Sequence, residues 1–354
     1  MDEQKQPHKR RVRYAGTHPK AYGEKYKELQ PEKYAADVAH ILQTGKTPAG
    51  THIPICVREI LDILRIQPGE IGLDATLGYG GHTQEMLKCL QGRGRLYATD
   101  VDPIESAKTR SRLEALGYGP EILTIRQMNF AEVDQVAPGQ RFDFVLADLG
   151  VSSMQIDNPE RGFSFKYDGP LDLRLNPTAG VTAAERLRQL TEEELEEALV
   201  ENADEPHARE IARAVSRTLR QGGSIDTTRQ LAQVIGDALS SLPASDRRDE
   251  IKKSCQRTFQ ALRIDVNSEF EVLYAFLEKL PTVLAGGGRA AILTFHSGED
   301  RLVKQAFRHF RQEGVYSEIA EDVIRPSAEE CFQNPRARSA KLRWAVRARE
   351  EEQT

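Results

Sequence analysis

The spacing of apolar residues along the chain changes twice, and each change predicts a different kind of structure. Between residues 53 and 149, short apolar runs alternate with stretches in which apolar residues recur every three or four positions. The runs predict strands at 70–75, 95–99, 122–126 and 142–147, and the periodic stretches predict helices at 57–64, 83–90 and 103–116. Strands that alternate with helices pair in parallel, so we predict an α/β fold with a doubly wound, mostly parallel sheet.

A purely helical stretch interrupts this alternation after Leu149. Residues 157–177 form a loop rich in glycine and proline, and Thr191 with Glu194 makes a capping box that opens a helix. Two further helices are predicted, one before Gly222 and one capped by Thr227 or Thr228. The strand and helix pattern then resumes, with a helix at 268–284, a strand at 289–295, a helix at 296–311 and a strand at 340–346.

These patterns divide the chain into three parts. Residues 51–156 and 264–354 are predicted to form one α/β domain, into which an all-helical domain at 157–263 is inserted. Residues 1–50 are polar and basic with little periodicity, so we expect a flexible arm there.

Composition narrows the class of protein. With 39% hydrophobic and 29% charged residues, and no apolar run of membrane-spanning length, the chain is expected to be a cytoplasmic globular protein without a membrane segment. The four cysteines stand far apart, with no CxxC and no histidine at ligand spacing, so we expect neither a metal site nor disulfides. The oligomeric state, homo-oligomer included, is left open.

Charge is distributed unevenly around a net value of −5. Residues 4–23 and 331–349 each hold six Lys or Arg and no acid, whereas residues 191–205 hold eight acids. Separate basic segments can contact nucleic-acid phosphates on one face of an acidic protein, although they are equally compatible with an ordinary solvated surface.

The sharpest local motif is Asp74-Ala-Thr-Leu-Gly-Tyr-Gly-Gly-His82, where a predicted strand ends at an acid and a glycine turn follows. The next strand ends at Asp100, where a carboxylate can meet ribose hydroxyls. Dinucleotides and S-adenosylmethionine both bind at such turns, and a purely structural turn is a third interpretation. The spacing Gly78-x-Gly80-Gly81 lacks the third glycine of G-x-G-x-x-G, which favours S-adenosylmethionine.

Eight motifs in order resemble the ribosomal RNA small-subunit methyltransferase H family, also called MraW, over about 300 residues. They are Thr51-His-Ile-Pro, Asp74–His82, Asp148-Leu-Gly-Val-Ser-Ser153, Asn158-Pro-Glu-Arg-Gly-Phe-Ser-Phe165, Asp168-Gly-Pro-Leu-Asp172, Arg257-Thr-Phe-Gln-Ala-Leu-Arg263, Phe295-His-Ser297 and Asn334-Pro-Arg-Ala-Arg-Ser339. The resemblance implies a class I methyltransferase fold and transfer of a methyl group from S-adenosylmethionine to the N4 amine of a cytidine in the decoding centre of 16S rRNA, within the small ribosomal subunit.

The resemblance also implies roles for individual residues. The cofactor contacts would be Gly80, Gly81, His82, Asp100, Phe130, Asp148 and Gln155. Phe130 would stack on adenine, or else belong to the core, and His82 would touch the cofactor or simply begin a helix. Asp148 ends a strand beside the methyl donor, so it is also the candidate catalytic residue that accepts a hydrogen bond from the amine.

Candidate RNA contacts come from the residues themselves. The loop Arg161-Gly-Phe-Ser-Phe-Lys-Tyr167 offers aromatic rings and cations for stacking an unpaired base. Arg161, Phe163 and Phe165 are the candidate contacts, although the same phenylalanines could pack under the helical domain. Arg257, Arg263, Arg336 and Arg338 are the candidate phosphate contacts.

Four features depart from the common family pattern. The arm at 1–50 is additional, Gly298 replaces a leucine, and Lys253-Ser-Cys-Gln256 replaces His-Pro-Ala, while the stretch after Arg311 is shortened. We therefore expect a divergent or second-copy branch. Two alternatives remain open: a methyltransferase of the same fold with another RNA target, and a cofactor-binding rRNA partner without that activity.

Overall fold

The computed structural model describes residues 54–349, so the predicted arm at 1–50 lies outside the described residues. Seven strands form one sheet in the order β3-β2-β1-β4-β5-β7-β6. Their bounds are β1 Ile71–Asp74, β2 Arg95–Asp100, β3 Leu123–Gln127, β4 Phe142–Asp148, β5 Leu284–Thr294, β6 Tyr316–Ile319 and β7 Lys341–Arg347. Strands β1 to β5 pair in parallel, and β7 runs antiparallel to both β5 and β6. The predicted doubly wound, mostly parallel sheet is confirmed.

Helices cover the sheet and build a separate helical layer. Those that alternate with the strands are α1 Val57–Leu64, α2 Gly81–Leu90, α3 Pro103–Ala115, α10 Glu269–Val283 and α11 Ser297–Gln312. The others are α4 Ser153–Asp157, α5 Ala183–Gln189, α6 Glu192–Ala203, α7 Ala208–Arg220, α8 Thr228–Ala238, α9 Ala244–Asn267 and α12 Ala328–Gln333. The capping boxes at Thr191 and at Thr227 are both formed.

Three apolar clusters show where burial stabilises the chain. One cluster joins α1, α2 and one face of the sheet through residues such as Leu64, Leu87 and Phe144. A second joins α10 and α11 to the opposite face. The third lies wholly in the helical layer, between Phe163 and Leu262. The helical layer therefore has a core of its own, in which its helices bury their apolar faces against one another.

The structure differs from the sequence predictions in several local features. The three glycines at 286–288, which lie between the predicted helix at 268–284 and the predicted strand at 289–295 and would suit a turn, are part of β5. Gly287 has a φ of 80° there, and the pairing with β4 shifts register nearby. Strand β6 and helix α9 were not predicted, and α9 extends through the predicted domain boundary at residue 263. A bulge needs the same glycines as a turn, so composition alone does not distinguish the two.

Candidate active site

The strand order creates a crevice at one edge of the sheet. β1 pairs with β2 on one side and with β4 on the other, so the chain switches direction at this point. Ligands of doubly wound sheets bind at such a switch, outside the carboxyl ends of the strands. A cavity of about 900 Å³ opens there. All seven residues predicted to contact the cofactor line it: Gly80, Gly81, His82, Asp100, Phe130, Asp148 and Gln155.

The glycine turn after β1 is fixed from α3 and β2. The backbone N–H of Gly78 donates to Asp100 Oδ2 at 2.7 Å, and Thr109 Oγ1 donates to the carbonyl of Gly78 at 2.6 Å. Gly80 has a φ of 76°, and a Cβ on it would lie 2.7 Å from Thr109 Cγ2. Glycine is therefore required at position 80 for both conformation and space. Thr109 was missed from the sequence, since nothing local shows that α3 faces the turn.

Asp100 presents its carboxylate to the cavity at the end of β2. Its Oδ1 accepts from the N–H of Asp102 at 2.8 Å, while Oδ2 accepts from Gly78. Burial raises the pKa of this carboxyl to about 6, although the two backbone N–H groups oppose the shift. Each oxygen keeps a second lone pair, so hydroxyl groups of a ligand can still donate to the carboxylate.

His82 and Asp148 face each other across the cavity floor. His82 Nε2 lies 3.5 Å from Asp148 Oδ2, and the histidine is buried. Burial disfavours the charged imidazole, but the hydrogen bond and the charge of Asp148 outweigh it and raise the pKa of His82. Asp148 Oδ1 is buried and accepts no hydrogen bond from the described part of the chain. A buried acceptor is thus left unsatisfied beside the cavity, while the side chain as a whole is 30% exposed.

Phe130 and Gln155 complete the predicted cofactor set in different ways. The half-buried ring of Phe130 meets Phe276 edge-on, with centroids 5.2 Å apart, and also lines the cavity. Gln155 is buried, and both ends of its amide are used within the chain: Oε1 accepts from the N–H of Ser152, and Nε2 donates to Asp102 at 2.9 Å. Gln155 therefore shapes the cavity wall through these bonds.

Arg161 is a structural residue, which corrects its prediction as an RNA contact. Its guanidinium is buried, with Nη1 2.7 Å from Asp102 Oδ2 and Nη2 donating to the carbonyls of Arg174 and Leu175. Asp102 also caps α3 by accepting from the N–H of Ile104. This pair ties the loop after α4 to the end of β2. Asp102 was missed, although an aspartate before Pro103 does predict the cap.

The two phenylalanines of the same loop have different environments. Phe163 is 9% exposed and belongs to the helical core cluster, so the alternative that it packs under the helical layer applies to this ring. Phe165 is half-buried, lines the cavity and lies against Phe259 with ring centroids 5.5 Å apart. Of the two rings, Phe165 has the exposure that a stacking residue needs.

Three of the arginines predicted to contact phosphate are ion-paired within the chain. Arg257 pairs with Glu250 at 3.0 Å, Arg263 forms a bidentate pair with Glu269, and Arg336 donates to Asp157 at 2.8 Å. These carboxylates compete with any RNA phosphate for the same guanidinium groups, because both ligands use the same donors. Arg338 is exposed. Phosphate contact by Arg257, Arg263 and Arg336 therefore stays a prediction, and the phosphate would have to compete with these carboxylates.

Two groups of side chains bring potential metal ligands within 4.8 Å of one another among residues 54–349. The first contains Cys56. Burial is the main cause that raises the pKa of its thiol to about 12, so the thiol stays protonated. The second lines the cavity and consists of Glu269, His296 and Glu299. In it, Arg263 pairs with Glu269, and His296 Nε2 lies 3.2 Å from Glu299 Oε1. The second group is thus an ion-paired network.

Gly298 is explained by its neighbour. A Cβ at this position would lie 2.5 Å from Cζ of Phe270, so the phenylalanine ring occupies the space that a larger side chain at 298 would need. The ring also lies against His296, with centroids 5.7 Å apart. The departure from the family pattern at 298 is therefore compensated within the chain.

In the described residues, every helix is too short or too polar to cross a membrane.

Comparison with known proteins agrees with the motifs. The model of the MraW methylase family matches residues 49–348. A protein of Lachnoclostridium phytofermentans named ribosomal RNA small subunit methyltransferase H 1 is 63% identical, covering 98% of this chain and 95% of its own. Methyltransferase H 2 of Alkaliphilus metalliredigens is 64% identical, covering 98% and 100%. A solved structure titled as a putative rRNA-methylase of Clostridium thermocellum covers 84% of this chain and 99% of its own, with 11% identity and a TM-score of 0.42.

The extent of the matches separates two groups of relatives. Those 62–64% identical match 98% of the chain, whereas several that are 39–41% identical match 83–86% of it. The relatives in the first group carry the numbers 1 and 2, as expected for second copies. The motifs, the matched length and the sheet lead to one conclusion: the chain belongs to the MraW methylase family.

Proposed function

We propose that this chain is an S-adenosylmethionine-dependent methyltransferase that acts on the N4 amine of a cytidine in 16S rRNA. The observation that carries the proposal is that all seven predicted cofactor residues line one cavity in a member of the MraW methylase family. The names of the relatives at 62–64% identity support ribosomal RNA of the small subunit as the substrate. The small subunit in the cytoplasm is the proposed setting.

The cavity fits the proposed cofactor in shape and charge. Position 81 must be glycine because a Cβ there would lie 2.3 Å from Pro54 Cγ, so the backbone itself forms the wall. Asp100 would accept hydrogen bonds from the ribose hydroxyls, the ring of Phe130 would contact the adenine, and the carboxylate of Asp148 would face a donor or a cationic centre. When bound, the cofactor supplies an activated methyl group on a sulfonium.

Asp148 is the proposed catalytic residue. The amine of cytosine is a weak nucleophile because its lone pair is delocalised into the ring, so alignment and hydrogen-bond acceptance by the enzyme contribute most to the rate. The carboxylate of Asp148, whose side chain is 30% exposed, would accept a hydrogen bond from the amine, while the nearby His82 stabilises the carboxylate charge. Thr76 Oγ1 fixes the residue by accepting from the backbone N–H of Asp148 at 2.6 Å.

The test combines genetics with purified components. We expect nucleoside mass spectrometry of 16S rRNA to show loss of N4-methylated cytidine when the gene is deleted and recovery when the wild-type gene returns. The Asp148→Asn variant should bind the cofactor but restore little methylation. Unchanged rRNA together with a changed nucleoside in another RNA would support the alternative target. Unchanged nucleosides throughout would support the rRNA-binding protein without activity.

A further inference from the structure

The charged side chains that line the cavity differ in exposure. The acidic ones are enclosed: the side chain of Glu299 is 4% exposed, that of Glu269 11% and that of Asp148 30%. Within the described residues, the exposed charged side chains on this lining are Lys166 and Lys252. The most exposed charges on the lining are therefore cationic.

The two lysines come from separate elements that meet at the cavity. Lys166 follows Phe165 in the loop after α4, and Lys252 lies on α9. Neither ammonium forms an ion pair with a residue between 54 and 349, although that of Lys166 lies 5.3 Å from the ring centroid of Tyr167. This contrasts with Arg257, whose charge is already paired. An unpaired ammonium on a flexible stem loses no internal partner when it binds a phosphate.

Phe165 adds an apolar contact beside these charges. Its ring is supported from behind by Phe259, which is 5% exposed, and its remaining surface faces the cavity. A supported aromatic ring beside cations is the combination with which proteins hold single-stranded nucleic acid. The cavity volume of about 900 Å³ lies at the upper end of the range for small-molecule sites, roughly 300–1,000 Å³.

We propose that Lys166 and Lys252 hold the phosphates that flank the target nucleotide, and that Phe165 stacks on its extruded base. The inference rests on the proposed function, because it requires an RNA strand at this cavity. It assigns the phosphate contacts to lysines rather than to the arginines of the motifs. A base must leave its stack to reach an enclosed methyl donor, and phosphate contacts on either side hold the strand in that position.

The charge part of the inference is tested with Lys166→Gln, Lys252→Gln and the double variant. Lys253→Gln is the control for loss of one positive charge on the same helix, because Lys253 is exposed, does not line the cavity and pairs with Glu250 at 3.8 Å. Binding of the full-length proteins to small subunits from a strain lacking the gene is measured against salt. One phosphate contact contributes a slope of about 0.7–0.9, or roughly eightfold in affinity at 0.1 M salt.

We expect each cavity lysine variant to bind the subunit about five- to tenfold more weakly, with a salt slope lower by about 0.8, and the double variant to show both effects combined. The KM for the subunit should rise while kcat, cofactor affinity and melting temperature stay close to the wild type. Binding by the double variant equal to that of Lys253→Gln would overturn the inference. If the wild-type enzyme transfers no methyl group to the subunit, the proposed function itself fails.

The stacking part is tested at Phe165. Phe165→Leu should lower kcat/KM for the subunit roughly ten- to hundredfold, because an aromatic stack is lost, and Phe165→Trp should retain most activity. Cofactor affinity and melting temperature, measured on the same samples, show whether the leucine variant folds. Equal losses in a folded leucine variant and in the tryptophan variant would contradict stacking.

Discussion

Cofactor affinity should depend on pH through Asp100, and the structure fixes the direction. The carboxyl has a pKa of about 6 in the free protein because it is buried, and ribose hydroxyls bind best to its ionised form. As pH falls through 6, a growing fraction of the protein has a protonated Asp100, which must lose its proton before the cofactor binds. Affinity should therefore be full at about pH 8 and about tenfold lower at pH 5, which is about 1.4 kcal/mol.

The raised pKa of Asp100 also makes the stability of the fold depend on pH, in the opposite direction to cofactor affinity. A carboxyl whose pKa is raised in the folded state stabilises the fold below its unfolded pKa, and this contribution is lost as pH rises through 6. Raising the pKa of Asp100 to about 6 corresponds to at most about 3 kcal/mol, and partial exposure of the side chain reduces that value. The unliganded protein should thus lose stability between about pH 4 and pH 7, where the cofactor gains affinity.

Isothermal titration calorimetry with S-adenosylmethionine from about pH 5 to pH 8 measures the first effect, and urea unfolding without cofactor measures the second. Asp100→Asn is the control, because an amide does not titrate. It should bind about ten- to hundredfold more weakly at neutral pH, with a flatter pH profile. Parallel profiles for the variant and the wild type would refute the assignment, since another group, such as the cofactor's own amine, would then be titrating.

Three further substitutions give separate tests. Asp148→Asn should lower kcat more than cofactor affinity, because the amide keeps one acceptor without the charge; equal losses in single-turnover and binding assays would limit Asp148 to cofactor binding. Arg161→Leu should destabilise the fold by about 3–5 kcal/mol in urea unfolding, since Asp102 would remain as a buried unpaired carboxylate, and an unchanged midpoint would argue against this. Gly298→Leu should cost about 1–3 kcal/mol by clashing with Phe270, and Phe270→Ala should restore part of that loss, whereas simply additive losses would contradict the packing argument.

The elements of the sheet were predictable because burial on both faces leaves a continuous apolar run. β4 is an example: five of its seven residues are buried. Helix α9 was missed because it begins with the polar sequence Ala-Ser-Asp-Arg-Arg-Asp, and its buried positions concentrate after Cys255. β6 has four residues at the edge of the sheet, too few for a pattern of period two to emerge.

The site residues that could be predicted are those whose place at the end of a strand or in a turn decides what they contact. Acids at strand ends and glycines between a strand and a helix have one geometry in this fold, so Gly80, Asp100 and Asp148 were placed from the sequence. Partners of charged residues were not, since Arg161 and Asp102 are 59 positions apart and no local rule relates them. A cation in a motif looks the same in a sequence whether it faces a phosphate or a buried carboxylate.

The buried pair of Asp102 and Arg161 also limits how this enzyme can change over evolutionary time. Loss of either partner leaves the other charged and enclosed, whereas replacement of both by apolar residues is often tolerated. The path between those two states passes through an unstable intermediate, so the positions should be inherited together. Gln155, which donates to the same carboxylate oxygen, should be subject to the same constraint. Sequences of this branch should therefore vary at 102, 155 and 161 jointly or not at all.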